Sequence, residues 1–238
     1  MPSTLGTLQN LRLLTSHIYT DDEIENFDIR EAISNHPIAH RPVNTRSRLA
    51  YQQLIKNTKA TTKYLLPGQL CMFYYNEPKF KEELEYYDKT PLTLFCGITR
   101  TKDNTIREVG FNLHYFPPYT RARILELCYI AFMPYWESSF NVPNKKPNTH
   151  ISYKAIKKIC SRSDKLAFGI KMYVPILRST AWVIPPRLFS TAFYTEGHFS
   201  KATMNQIFRF WRTFKRIVNM KNKYISTLQQ YAVRTKDF

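Results

Sequence analysis

Residues 91–118 read PLTLFCGITRTKDNTIREVGFNLHYFPP, and this stretch decides the fold. Pro91 to Ile98 is an apolar, β-prone run that predicts a strand. Thr101-Lys-Asp-Asn104 gathers residues that tolerate tight bends. A second run from Ile106 to Phe116 follows, and Pro117-Pro118 closes it because proline cannot donate to a strand ladder. Two such runs about a short polar turn predict a hairpin. Upstream, Pro67-Gly68 turns into another strand at Gln69 to Tyr75, which Asn76-Glu77-Pro78 ends. Three strands with short connections predict an α+β fold: a small antiparallel β-barrel or half-sandwich, covered by helices because so small a sheet is not stable alone.

The flanking sequence supplies the cover. Tyr119 to Met133 carries Ile124, Leu125, Leu127, Ile130 and Phe132, apolar on most sides, and predicts a buried helix that Pro134 stops. Residues 45–63 predict a basic amphipathic helix, and 153–160 a short basic one. Residues 168–194 read as β or irregular, with Pro175 and Pro185-Pro186 preventing long strands. At the C-terminal end, Thr203 and Gln206 form a capping box. Met204, Ile207, Phe208, Trp211, Phe214 and Val218 then recur at helical spacing, so a long basic amphipathic helix is expected. The expected organisation is an N-terminal arm with short helices over 1–66, an α+β core over 67–205, and a C-terminal basic helix and tail over 206–238.

The 238 residues carry 35 Lys and Arg against 18 Asp and Glu, a net charge of +17. The excess is uneven. Residues 1–40 sum to −4, residues 141–180 to +8 and residues 201–238 to +8. A basic surface of this kind suits the phosphate backbone of a nucleic acid or an acidic neighbour. The contacts expected for DNA or an acidic partner are Lys145 and Lys146 in the linker NVPNKKPNT, Lys157 and Lys158, and the helical row Arg209, Arg212 and Arg216.

Other classes are excluded or disfavoured. Six glycines, none in a phosphate-cradling loop, exclude a nucleotide enzyme built on such a loop. Cys71, Cys96, Cys128 and Cys160 are far apart, with no His at ligand spacing, so free thiols are expected and no metal site. No cofactor is expected. The segment Met1-Pro-Ser-Thr-Leu-Gly lacks the features of a secretory signal, and the apolar runs are too short to span a bilayer. Glu82, Glu83, Glu85 and Asp88 form an acidic cluster that reads as a solvated loop. His114, between Leu113 and Tyr115, reads as a hydrogen-bonded structural residue. No catalytic motif is present, and no enzyme activity is expected.

Tyr86-Tyr87-Asp88-Lys-Thr-Pro91-Leu92, then Gly110-Phe111-Asn112-Leu113-His114-Tyr115-Phe116-Pro117-Pro118 and Arg121, resemble a family of small virion-associated proteins of tailed bacteriophages of the myovirus type. Ile176 to Pro186 and Ala192 to Ala202 extend the resemblance, which covers roughly residues 67–205. Its members are labelled DNA end protector or structural protein. The Lys145-Lys146 linker and the basic C-terminal helix depart from the pattern. The motif residues Tyr86, Tyr87, Asp88, Asn112 and His114 read as framework. Tyrosine hydroxyls can reach buried backbone, Asp88 can accept from local amides, and Asn112 and His114 would share the polar face of a strand whose other face packs.

The resemblance implies a non-enzymatic structural component of a tailed-phage virion, at the head–tail junction, tail or baseplate. It would be made in the host bacterial cytoplasm. Its partners would be other virion proteins, in a homo-oligomeric ring or multi-copy assembly, with phage DNA as a further partner. Two readings stay open beside it. One is a DNA-binding protein that caps genome ends, in which Trp182 or Trp211 stacks on an unpaired base. The other is a nuclease, which would need paired carboxylates around a divalent metal.

Overall fold

A computed structural model describes residues 36–58, 65–75, 87–116, most of 118–132, 153–160, 164–176 and 180–199. Its centre is a five-stranded antiparallel sheet: β1 (Leu70–Phe73), β2 (Leu92–Arg100), β3 (Ile106–Asn112), β4 (Ile170–Tyr173) and β5 (Ala181–Val183). The spatial order is β4-β3-β2-β1-β5. Thus the three-strand meander is present, with a short strand added at each edge. Leu94 pairs with Leu70 on one side and Phe111 on the other, which fixes the register of the central strands.

Two local features bend the sheet. The β2–β3 register shifts between Phe95 and Gly97, where Gly97 takes φ 134°, a value a side chain would resist. At the entry to β1, Gly68 has φ 91° and its N–H bonds Phe95 O at 2.7 Å. Tyr173 on β4 meets Phe73 on β1 edge-on, with ring centroids 5.1 Å apart. In a flat sheet those strands stand about 14 Å apart, so the sheet is coiled. Among the described residues β4 and β5 remain its two ends, so these strands form an open, coiled sheet and do not by themselves close the expected barrel.

Both faces are packed. Strand alternation sends Leu70, Met72, Leu92, Leu94, Val109 and Phe111 to one core, which helices cover. Cys71, Phe73, Phe95 and Tyr173 go to a second, tyrosine-rich core with Tyr75 and Tyr87. The cover includes α1 (Val43–Asn57) through Leu54, and the helical stretch 118–132 through Ile124, Leu125, Cys128, Tyr129 and Phe132. Tyr129 donates its hydroxyl to Gly68 O at 2.6 Å, tying that stretch to the turn before β1. Helix α1 runs shorter than the expected 45–63, since Thr58 is extended and both its N–H and its hydroxyl bond Leu54 O.

Three short helices, α2 (Tyr153–Cys160), α3 (Asp164–Gly169) and α4 (Phe189–Phe193), the last preceded by a 3-10 turn over Pro186–Leu188, are also described. Residues 168–194, read as β or irregular, hold the end of α3, both edge strands and α4. The third strand is shorter than expected. It ends at Asn112, whose side-chain oxygen accepts from His114 N–H at 2.9 Å and starts a 3-10 turn over Leu113–Tyr115. The side chain thereby replaces the next rung of the ladder. The expected C-terminal helix of 203–218 lies outside the described residues. Among the described residues no helix is long and apolar enough to cross a membrane.

Candidate functional site

The polar residues of the sequence motif meet in the interior. Asp88 arrives just before β2, Asn112 ends β3, His114 sits in the 3-10 turn, and Thr195 follows α4. Asp88 Oδ2 lies 2.8 Å from His114 Nδ1 and accepts from Asn112 Nδ2 at 3.2 Å. Its other oxygen accepts from the N–H groups of Thr90 at 3.1 Å and His198 at 3.2 Å. Asp88, Asn112, His114 and Thr195 are all buried, so the expected polar strand face does not exist. Every residue from Phe111 to Phe116 is buried, because the 3-10 turn is covered by α4 and the chain that follows it.

The electrostatics follow from this burial. Burial alone pushes the Asp88 carboxyl up, but the facing His114 and the hydrogen bonds from His114, Asn112 and Thr90 outweigh it and hold it below the ordinary carboxylate value. Burial pushes His114 down, against the pull of Asp88, with Arg121 adding to the downward effect. Together these describe a carboxylate accepting Nδ1–H from a neutral imidazole. His114 Nε2 lies 2.9 Å from Thr195 Oγ1, and that hydroxyl also stands 2.6 Å from Ala192 O.

Arg121 binds the node to the rest of the core. It lies in the helical stretch 118–132 and is fully buried. Its Nε donates to Leu113 O and Phe116 O, both at 3.0 Å. Its Nη1 donates to Phe193 O at 2.7 Å and to Thr195 O. One guanidinium therefore caps the end of α4, where a cation is favourable, and closes the turn after β3. Burial lowers its pKa to about 10, offset in part by the charge of Glu196.

Helix α1 closes the outer side. Tyr51 donates to Glu196 O at 2.9 Å, lies 3.1 Å from Thr90 Oγ1, and stacks on His198 with centroids 5.2 Å apart. Ser47 accepts from Glu196 N–H at 3.0 Å. Burial pushes the Tyr51 hydroxyl upward, and Asp88 adds to the rise.

A carboxylate, an imidazole and a hydroxyl in line have the connectivity of an activated nucleophile. Here His114 and Thr195 have no exposed surface, and the hydroxyl is engaged by Ala192 O. What the arrangement does is hold four chain segments in fixed relation. Among the described residues no group of three His, Cys, Asp or Glu could hold a metal ion.

The other sequence-selected residues divide. Tyr87 is buried and donates to Tyr75 O at 2.6 Å, in the second core. Lys157 and Lys158 are exposed on α2, with Lys154 one turn earlier on the same face. Tyr86, Lys145, Lys146, Arg209, Arg212 and Arg216 lie outside the described residues, as does Trp211. Thr195 and Tyr51 escaped sequence reasoning because single hydroxyl residues carry no spacing signal. Arg121 carried only a weak one, as one of three charges, with Arg123 and Glu126, in an otherwise apolar helical run.

Fold and site thus define a class: an α+β domain on an open antiparallel sheet, pinned at its centre by a buried carboxylate–imidazole–guanidinium network. Residues 22–194 match the family described as Phage T4 terminal DNA protecting protein, and the chain belongs to that family. The match begins inside the acidic N-terminal segment, well before the residue 67 expected from the motifs. No curated protein and no solved structure matches the chain.

Proposed function

We propose that this protein binds the ends of a phage's linear double-stranded DNA and shields them by steric cover, without catalysis. The observation that carries this reading is family membership across residues 22–194. The charge supports it: a net +17, and Lys154, Lys157 and Lys158 on one exposed face of α2, suit a polyanion. The rigid interior supports a covering role, since a shield must keep its shape against a nuclease. The setting is the virion or the phage-infected bacterium.

End protection is better supported than the broader role of building block at a head–tail junction, tail or baseplate. A ring or multi-copy assembly with other virion proteins stays secondary to it. The basic residues Lys145, Lys146, Lys157, Lys158, Arg209, Arg212 and Arg216 are proposed to contact phosphate. The test is digestion of linear duplex by a double-strand exonuclease with increasing protein. Slowed digestion of linear DNA is expected, and digestion at the unprotected rate would overturn the reading.

A further inference from the structure

We propose that the tip of the β2–β3 hairpin is the element that engages the DNA end, with Ile106 covering the terminal base pair and Arg100, Lys102 and Arg107 holding the adjacent phosphates. This rests on the end-protecting reading and names the part of the chain that performs it. Among the described residues the hairpin extends past the strands that flank it. β1 pairs with β2 only at Leu92, Thr93 and Leu94, and β4 pairs with β3 only from Glu108 to Phe111. The pairs Thr99↔Arg107 and Arg100↔Ile106 therefore form a two-stranded ribbon with no further strand on either side among the described residues. From Glu108 to the turn is about 10 Å at the rise of a strand, enough to reach into a groove.

The ribbon's chemistry suits an end more than the middle of a duplex. Ile106 is 43% exposed, and its cross-strand partner Arg100 places a guanidinium on the same face. An apolar side chain that enters the interior of a duplex must first unstack base pairs. At an end, the outer face of the last base pair is already exposed, so Ile106 can cover it without that penalty. The same residue thus favours ends over closed DNA, while the cations supply affinity for either.

The turn holds these groups ready. Thr101 N–H bonds Thr105 O at 3.0 Å, and Asn104 takes φ 61° with its N–H on Thr101 O. Asp103 is the one acid of the tip, and its carboxylate accepts from the hydroxyls of Thr101 and Thr105. Arg100 Nη1 donates to Asn104 Oδ1 at 3.0 Å, which orients the guanidinium. Arg100, Lys102 and Arg107 form no ion pair among the described residues.

The test compares the full chain with two variants on a linear duplex and on the same duplex with both ends closed by hairpin loops. The wild type is expected to bind the linear form more tightly. R100A/K102A/R107A is expected to weaken binding to both forms at least tenfold at 0.15 M salt and to flatten the log–log salt slope by about 3. Ile106→Ala is expected to keep the closed-duplex affinity and reduce the preference for open ends roughly fivefold. All of these positions are at least partly exposed and away from the core, so the melting temperature serves as the folding check. Unchanged affinity in the triple variant, or an undiminished end preference in Ile106→Ala, overturns the hairpin assignment and leaves end protection standing. A wild type with no end preference overturns both.

Discussion

Among the described residues, Arg121 is a single side chain on which two stretches of backbone depend. Four carbonyl oxygens from two segments depend on its guanidinium. Replacing it with Met, of similar length, takes the guanidinium from all four, leaving Leu113 O the N–H of Phe116, and each buried acceptor left unpaired costs about 1–3 kcal/mol. Because the acceptors relax together, a total of about 3–5 kcal/mol is expected, read as a lower urea midpoint with unchanged slope. A loss below about 1 kcal/mol would mean that the carbonyls find other donors. The Asp88–His114 pair makes a different prediction, in pH. His114 is held below its ordinary 6.5, so as pH falls through 6.5 the unfolded chain takes up a proton that the folded imidazole resists, and stability drops. Asp88 is held below its ordinary 3.8, so its contribution is complete above that value and is lost as pH falls further, toward its folded pKa. Acid titration of the urea midpoint should thus show two descending steps. His114→Gln should remove the upper one and also shrink the lower, because His114 supplies much of what holds Asp88 down. A midpoint that falls equally in both proteins between pH 7 and 5 would place the upper step elsewhere.

Between elements, the tightest fit is at Gly110, where β3 lies between β2 and β4. A Cβ there would stand 2.2 Å from Thr93 Cγ2 and 3.3 Å from Tyr173 Cε2. Thr93 is buried and branched at Cβ, so it has little freedom to rotate away. Gly110→Ala should cost about 1–3 kcal/mol by overpacking. Thr93→Ser deletes the obstructing methyl, so the double variant should recover part of the loss, giving a non-additive cycle in thermal unfolding. Strict additivity would show that the strand backbone shifts instead. Much of this layer was legible in sequence, and the reason is instructive. β1, β2 and β3 are continuous β-prone runs punctuated by Pro67-Gly68, Thr101–Asn104 and Pro117-Pro118, and local punctuation is what a single sequence displays. The end of β3 was misread because Asn112 competes with the ladder through one side-chain bond, a choice that depends on where His114 must go. β4 and β5 are too short to show a period. Three of the four residues of the polar node, Asp88, Asn112 and His114, lay within the motifs. Thr195 lies 81 residues beyond His114, and only the tertiary fold brings its hydroxyl to the imidazole.

For the molecule as a whole, the proposed function makes charge govern the encounter with DNA. A chain of net +17 attracts a phosphate backbone wherever its cations cluster, and Lys154, Lys157 and Lys158 present such a cluster at spacings of three and four on α2. Each cation that neutralises a phosphate releases counterions, so affinity should fall with salt at a log–log slope of about −0.9 per contact. On the proposed interface, K157E/K158E would remove two contacts and add repulsion on the same face. It should flatten the slope by about 2 and weaken binding roughly tenfold at 0.15 M salt. Both side chains are exposed, so the melting temperature should stay within about 1–2 °C of wild type. The α2 lysines and the hairpin tip are separable in this respect. Loss of α2 charge should weaken open and closed duplexes equally, because it acts on phosphates that both forms share, whereas Ile106 should act only where a base-pair face is open. A K157E/K158E protein that slows exonuclease digestion at the wild-type concentration and salt would remove α2 from the interface and shift the phosphate contacts to the other basic segments.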